Sequence, residues 1–170
     1  TNDCNPAQHV ENISKKAHVV LSQLKRATSL RDSQTFGRLY QAYVRPLLEA
    51  AAPAWNPTKR ESVNQLEKVQ RRATKLVSGI GSKPYEERLK ICNLMTLEWR
   101  RSRRDLLECY KIMNGFGDVE LRELFSLASD RHNLNTRSAT DGLLVPQHTH
   151  LDIRKYFFFN RVFTRGMNYH

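Results

Sequence analysis

Basic side chains are concentrated in the middle of the chain, where they recur at helical spacing. Residues 59–104 include thirteen Lys or Arg and five Asp or Glu, so this segment supplies a surplus of eight positive charges to the net +11 of the 170-residue chain. Cationic side chains neutralise phosphates and release condensed counterions, and the planar guanidinium of Arg binds phosphate oxygens in pairs. A polyanion, nucleic acid first, is therefore the partner that the charge pattern indicates.

Two stripes carry the candidate phosphate contacts. The first stripe has four members on one face of a predicted helix: Lys68, Arg71, Arg72 and Lys75. The second stripe has four members on a later predicted helix: Arg100, Arg101, Arg104 and Lys111. Charged stripes are also typical of a solvated helix face that has no partner, so this alternative stays open.

The sequence contains no residue pattern for catalysis or metal binding. It has no glycine-rich phosphate loop, no GxSxG or HExxH motif, and no adjacent aspartate pair that would hold two magnesium ions for nucleotidyl transfer. His148 and His150 offer two imidazoles, but only Asp152 accompanies them. The three cysteines match no zinc or redox spacing, which favours reduced thiols and an intracellular location, cytoplasmic or nuclear. We therefore predict no catalytic residue, no metal and no cofactor in this chain.

Helical periodicity covers residues 1–128 and would position both stripes. Apolar spacing and capping residues predict six helices, over 6–30, 33–48 with a kink or an end near Arg45, 58–78, 85–92, 97–114 and 118–128. In the third helix, the apolar positions from Leu66 to Leu76 lie about 140° from the first stripe. This helix would therefore dock by its apolar side and present its cations outward. The predicted fold is mainly α, a bundle of about five or six helices.

The fifth predicted helix repeats this amphipathic design. Its buried face is predicted to hold five residues: Trp99, Leu106, Cys109, Tyr110 and Met113. The second basic stripe would then lie on the outer face of the helix. We also expect Trp99 and Trp55 to close the core, with Trp55 held in the proline-rich corner at residues 50–57.

The last quarter of the chain differs in composition from the rest. Turn-forming residues dominate positions 129–142, and short extended pieces are predicted at 143–145 and 156–163. We therefore predict a helical region over residues 1–128 and an irregular or weakly β segment over residues 129–170. No apolar run approaches the ~20 residues that span a bilayer, so no membrane partner is expected. The missing initiator Met and the abrupt ending predict a fragment of a longer chain.

Several motifs follow one another in a defined order. They are NISKKAHVVLSQLKR at 12–26, YQAYVRPLLEAAAPAWNP at 40–57, LEKVQRRATKLVSG at 66–79, YEERLKICNLMTLEWRRSRRDLLECYKIMNG at 85–115 and FFFNRV at 157–162. In this order they resemble the region just downstream of the reverse transcriptase palm in LINE-type, non-LTR retrotransposons, especially jockey-like elements. The resemblance covers nearly the whole chain, although the tryptophan-containing ending usual in that family is absent here.

The resemblance implies a thumb and post-thumb segment, which is largely helical and lies beside the template–primer duplex. The catalytic aspartates of such enzymes belong to the palm. It follows that this chain alone would not be an enzyme, whereas its parent protein would be an RNA-directed DNA polymerase. The implied partners are the backbone of RNA, DNA or an RNA–DNA hybrid, and the upstream palm domain of the parent polyprotein.

Two other interpretations stay open at this point. One is a helical protein-interaction module, whose docking patch would be the exposed face of the second helix or the aromatic run at residues 156–159. The same run would suit base stacking if it were exposed, or a buried strand or helix turn if it were not. The other interpretation is a non-functional transposon remnant that folds poorly without its upstream domains.

Overall fold

The computed structural model describes residues 6–29, 31–116, 126–127, 144–145, 157–158 and 160–162. The chain forms two compact units, one ending at Arg101 and the other beginning at Ser102. The described residues are mainly helical, which confirms the fold class predicted from the apolar periodicity. The predicted boundary between residues 128 and 129 lies outside the described residues.

Seven α-helices and one π-helical turn make up most of the described residues. They are α1 (Pro6–Ala27), α2 (Ser33–Leu39), the π-helical turn (Tyr40–Val44), α3 (Arg45–Glu49), α4 (Ala52–Trp55), α5 (Arg60–Lys75), α6 (Tyr85–Ile91) and α7 (Leu97–Met113). In the second unit, β1 (Ser126–Leu127) pairs antiparallel with β2 (Leu144–Val145). None of the described helices has both the length and the apolar character needed to cross a bilayer.

The second predicted helix is divided into α2, the π-helical turn and α3. Asp32 caps α2, because its carboxylate accepts a hydrogen bond from the backbone N–H of Thr35 at 2.8 Å. Pro46 lies in the first turn of α3. A proline there has no N–H to donate and collides with the carbonyl one turn earlier, so the wider π-helical turn before Arg45 accommodates it. The predicted change near Arg45 is therefore a change of helical register.

The core of the first unit lies between α1, α5, α6 and the segment from α2 to α3. Its buried apolar residues are Val10, Ala17, Leu21, Phe36, Tyr40, Val44, Leu48, Leu66, Val69, Ala73, Val77, Ile80, Leu89, Cys92, Leu94 and Leu97. Trp55 packs against this cluster and donates its indole N–H to the carbonyl of Ala50 at 2.7 Å. This contact fixes the proline-rich corner, as the sequence predicts.

α7 buries a different face from the predicted one. Trp99, Leu106, Tyr110 and Met113 were expected inside, but their side chains are between 39% and 60% exposed. The residues actually buried are Leu97, Arg101, Asp105, Cys109 and Ile112. The prediction was wrong because it placed Arg101 on the outer face and left Asp105 out of the buried face, whereas folding supplies partners for both.

One of these partners comes from the C-terminal segment of the second unit. Arg161 donates from Nε and Nη2 to the two carboxylate oxygens of Asp105, at 2.9 and 3.2 Å, and both side chains are almost fully buried. The neighbouring Phe158 and Val162 are buried as well. The described residues 158 and 160–162 are helical, so the predicted extended conformation is wrong for them, whereas the alternative of a buried helix turn is confirmed at Phe158.

The other predictions for the second unit are tested only in part. β2 confirms the extended piece predicted at residues 143–145 where it is described. β1 contradicts the prediction that the sixth helix continues through residue 128, since Ser126 and Leu127 pair with β2 instead. The remaining residues of that predicted helix lie outside the described part of the chain.

Candidate nucleic-acid interface

The outer face of α5 presents the first predicted stripe to solvent. Lys68, Arg71, Arg72 and Lys75 are all exposed, and we call them the α5 basic surface. The opposite face of the helix contributes Leu66 and other apolar residues to the core. The helix is therefore amphipathic in the way that the sequence predicts.

The α5 basic surface forms no ion pair with the part of the chain that the structure describes. Within the described residues, none of its four cations forms a salt bridge with a carboxylate. Cations three and four residues apart on one helix repel each other slightly, so these four side chains do not stabilise α5 as a helix. At a rise of 1.5 Å per residue, the stripe extends for about 10 Å, which matches roughly three phosphates of one nucleic-acid strand.

An open cleft adjoins one end of this surface. Lys68 and Arg71 line it together with Glu61 and Asn64, and its volume is about 350 Å³. Its lining mixes cationic, anionic and amide groups, so it suits a polar ligand such as a sugar–phosphate chain better than an apolar one.

Arg71 is held in place by an aromatic ring. Its guanidinium lies 4.8 Å from the ring centroid of Tyr85, and the guanidinium of Arg88 lies 5.6 Å from the same centroid. Cation–π attraction at such distances orders a long side chain without neutralising its charge. Arg71 is therefore preoriented at the surface while it keeps its N–H donors.

A buried polar network lies under the α5 basic surface. Gln70 is fully buried, and its Oε1 accepts a hydrogen bond from the hydroxyl of Tyr40 at 2.9 Å. Its amide nitrogen donates to the hydroxyl of Tyr85 at 3.0 Å and to the carbonyl of Met95 at 2.9 Å. Gln70 thus uses both N–H donors, which is how a buried amide avoids a desolvation penalty.

Glu67 extends this network to the start of α7. The hydroxyl of Tyr85 donates to Oε1 of Glu67, and Oε2 accepts from the backbone N–H of Leu97 at 3.1 Å. Burial and this donated hydrogen bond raise the pKa of Tyr85 well above its ordinary range, so the phenol stays a donor. A carboxylate at the first turn of a helix also complements the helix dipole. The inner face of α5 therefore fixes α6 and the beginning of α7.

The second predicted stripe does not form one surface. Arg100 donates from Nε to Oε1 of Glu49 at 2.5 Å and from Nη2 to Oε2 at 3.1 Å. This bonding raises the pKa of Arg100. Arg101 is almost fully buried, and its Nε donates to Oδ1 of Asn56 at 3.1 Å. The predicted outward orientation is therefore wrong for Arg101, and Arg100 is only partly exposed.

The other two members of the second stripe belong to the second unit. Arg104 is exposed there. Lys111 is also exposed, and its Nζ lies 3.6 Å from Oε2 of Glu108 one turn earlier. Of the eight predicted contacts, the structure brings together the four of α5 on one exposed face.

Sequence analysis missed one residue beside the α5 basic surface. Nδ1 of His18, on α1, lies 3.4 Å from Nη1 of Arg72. The signal was present in the sequence, since His18 is adjacent to the buried stripe of α1 at Ala17 and Leu21. A polar residue at such an edge contacts whichever helix packs on that stripe, but the sequence does not say which helix that is.

No metal site is found in the described part of the chain. Its His, Cys, Asp and Glu side chains form no group of three that could hold a metal ion. Burial raises the pKa of the Cys92 and Cys109 thiols, which makes them less reactive. His148 and His150 lie outside the described residues.

A nematode protein is similar to this chain. Uncharacterized protein B0403.1 of Caenorhabditis elegans is 27% identical over 125 residues, which make up 69% of this chain and 63% of that protein. The match thus spans less than two thirds of that relative's length. No family model matches the chain, and no solved structure does. Because the relative's name states no activity or ligand, the function must be argued from the site.

Proposed function

We propose that the chain binds the phosphate backbone of nucleic acid through the α5 basic surface. The observation that carries the proposal is the exposure of four cations on one helix face, with no carboxylate paired to any of them among the described residues. Contacts of this kind position a nucleic acid without reading its sequence. RNA, DNA and an RNA–DNA hybrid all carry such a phosphate backbone, so each of them could bind in this way.

On the resemblance to non-LTR retrotransposons, we further propose that the chain is the thumb and post-thumb segment of an RNA-directed DNA polymerase. In this role it would hold the template–primer duplex, in the cytoplasm or the nucleus. The palm domain of the parent protein would be its second partner and would carry the catalytic aspartates. Our proposal therefore assigns no catalytic step to this chain alone.

The test is binding of a labelled RNA–DNA hybrid over a salt series. We would compare the wild-type chain with the variant Lys68→Gln, Arg72→Gln, Lys75→Gln, called the α5 variant. Three lost phosphate contacts should reduce the slope of log K against log salt by about 2 to 3 in magnitude. Arg101 is left unchanged because its removal would disturb folding.

A control with the same net charge separates a contact surface from bulk charge. The variant Arg38→Gln, Lys59→Gln, Lys90→Gln also removes three exposed cations, but from three separate places: α2, the residue before α5, and α6. We expect its slope to stay close to that of the wild-type chain. Equal loss in both variants would contradict the α5 assignment, and no binding by the wild-type chain would refute the proposed function.

A protein-interaction module is a second candidate, favoured by the exposed apolar side of α7. Leu107, Tyr110 and Met113 are each about half exposed in the second unit. Apolar side chains repeated on one helix face are typical of docking surfaces. The variant Leu107→Gln, Met113→Gln should leave binding of the hybrid unchanged if nucleic acid is the ligand of α5. A loss of hybrid binding in this variant would contradict the separation of the two surfaces.

A further inference from the structure

The contact between His18 and Arg72 suits a neutral imidazole. A guanidinium only donates hydrogen bonds, so a hydrogen bond across the 3.4 Å between Nη1 of Arg72 and Nδ1 of His18 requires Nδ1 as the acceptor. We assign the imidazole proton to Nε2 on this basis. His18 is half-buried on α1, whereas Arg72 is an exposed member of the α5 basic surface.

Electrostatics in the free chain oppose protonation of His18. Partial burial and the charge of Arg72 hold the pKa of His18 below its ordinary value. Besides His18 and Arg72, the ionisable groups on α1 and on the elements packed against it are His9, Glu11, Lys15, Lys16, Lys25, Arg26, Tyr40, Tyr43, Arg45, Glu49, Arg60, Glu61, Glu67, Lys68, Arg71 and Lys75. Glu49 is bound by Arg100 and Glu11 by Lys15, so neither offsets the charge of Arg72.

We propose that His18 and Arg72 form a phosphate-binding pair that takes up one proton from solvent when a phosphodiester binds. The inference rests on the proposed function and adds α1 to the interface. Arg72 would turn its donor from His18 to a phosphate oxygen. Nδ1 of His18 would then take a proton from hydronium or a buffer acid and donate it in a hydrogen bond to the phosphate. The N–H bond forms at Nδ1 as the bond to that proton breaks in the solvent acid, which leaves water or the buffer base, and no other covalent bond changes.

The position of the pair suits a strand that follows α5. Lys68 and Lys75 lie one helical turn to either side of Arg72, so a backbone that contacts both must pass the pair. The bound phosphate changes the electrostatic environment of His18. Its negative charge attracts the protonated imidazole, which in the free chain is only repelled by the charge of Arg72. Binding therefore stabilises the protonated imidazole that the free chain disfavours.

The test is hybrid binding at fixed salt between pH 6.0 and pH 7.5, using the full chain. Wild-type affinity should rise about three- to tenfold as pH falls across this range, because one linked proton changes affinity by at most tenfold per pH unit. His18→Gln keeps a hydrogen-bond acceptor but does not titrate, so its affinity should change less than twofold. The control His9→Gln, on the same helix, should retain the wild-type pH dependence.

An NMR titration of the His18 imidazole gives a second measurement that does not depend on affinity. The signal, assigned by its loss in His18→Gln, should titrate below the ordinary range in the free chain and at higher pH with the hybrid bound. Arg72→Gln should raise the free-chain titration point. A His18 signal that titrates identically with and without the hybrid would overturn the inference.

The outcomes distinguish this inference from the proposed function. Salt-sensitive binding with no difference in pH dependence between wild type and His18→Gln would overturn the phosphate-binding pair and leave the α5 basic surface intact. No binding at either pH would overturn both.

Discussion

Both α5 and α7 carry adjacent arginines, yet the fold uses Arg71 and Arg72 of α5 differently from Arg100 and Arg101 of α7. Arg71 and Arg72 of α5 remain at the surface, one stacked on a tyrosine and the other beside a histidine. Arg100 of α7 is bound to Glu49, and Arg101 is buried against Asn56. The sequence of a helix therefore sets how many cations it carries. Whether those cations are accessible to a ligand depends on which hydrogen-bond acceptors the rest of the chain places beside them.

Breaking the buried ion pair of α7 should have the largest effect on stability. Asp105→Ala leaves the guanidinium of Arg161 buried without its carboxylate, which typically costs about 3–5 kcal/mol. Chemical denaturation would measure the loss. Glu108→Ala on the same helix removes a partly exposed carboxylate and its contact with Lys111, and should cost less than about 1 kcal/mol. Similar losses in the two variants would show that α7 does not depend on its buried charges.

The inner face of α5 should also be sensitive to mutation. Gln70→Ala deprives the Tyr40 hydroxyl and the Met95 carbonyl of their buried partner, so we expect a loss of about 2–3 kcal/mol in the free energy of unfolding. The control is Asn64→Ala, an exposed amide on the same helix. If both variants were equally stable, the network would not be what fixes α6 and α7 to α5.

Arg100 can be compared with a more exposed arginine that makes the same type of pair. Arg60 contacts both carboxylate oxygens of Glu98, at 3.0 and 3.1 Å, but its side chain is 73% exposed, against 30% for Arg100. Arg100→Ala should cost about 1.5–3 kcal/mol, and Arg60→Ala less than about 1 kcal/mol. Neither variant should alter the salt dependence of hybrid binding. A reduced slope for Arg100→Ala, with unchanged stability, would place Arg100 in the interface.

The outer face of α5 should have the smallest effect on stability. Lys68→Gln, Arg72→Gln, Lys75→Gln removes like-charge repulsion within the helix, so its free energy of unfolding should stay within about 0.5 kcal/mol of wild type. Thermal or urea unfolding would measure this. A large destabilisation would mean that these cations are structural, like those of α7, and would remove the contrast between the two helices.

Local patterns predicted much of the first unit. The start of the second predicted helix at residue 33, the interruption near Arg45 and the amphipathic α5 all depend on residues within a few turns of each other, so the sequence contains the necessary information. The inner face of α5 was predicted only as apolar, because the partners of Gln70 are 15 to 30 residues away along the chain. Hydrophobic periodicity cannot identify a hydrogen bond over that separation.

The sequence by itself determined the helical class, the excess of positive charge and the exposed stripe of α5. Tertiary structure decided which side of α7 is buried, because burying Arg101 and Asp105 becomes favourable only when acceptors and donors arrive from elsewhere in the chain. Asn56, which lies 45 residues before Arg101, is one such group. Folding likewise placed His18 beside Arg72, 54 residues later. Burying a charged side chain costs desolvation free energy, so its burial depends on these distant partners. The amphipathic pattern of a single helix depends only on residues close together in the sequence.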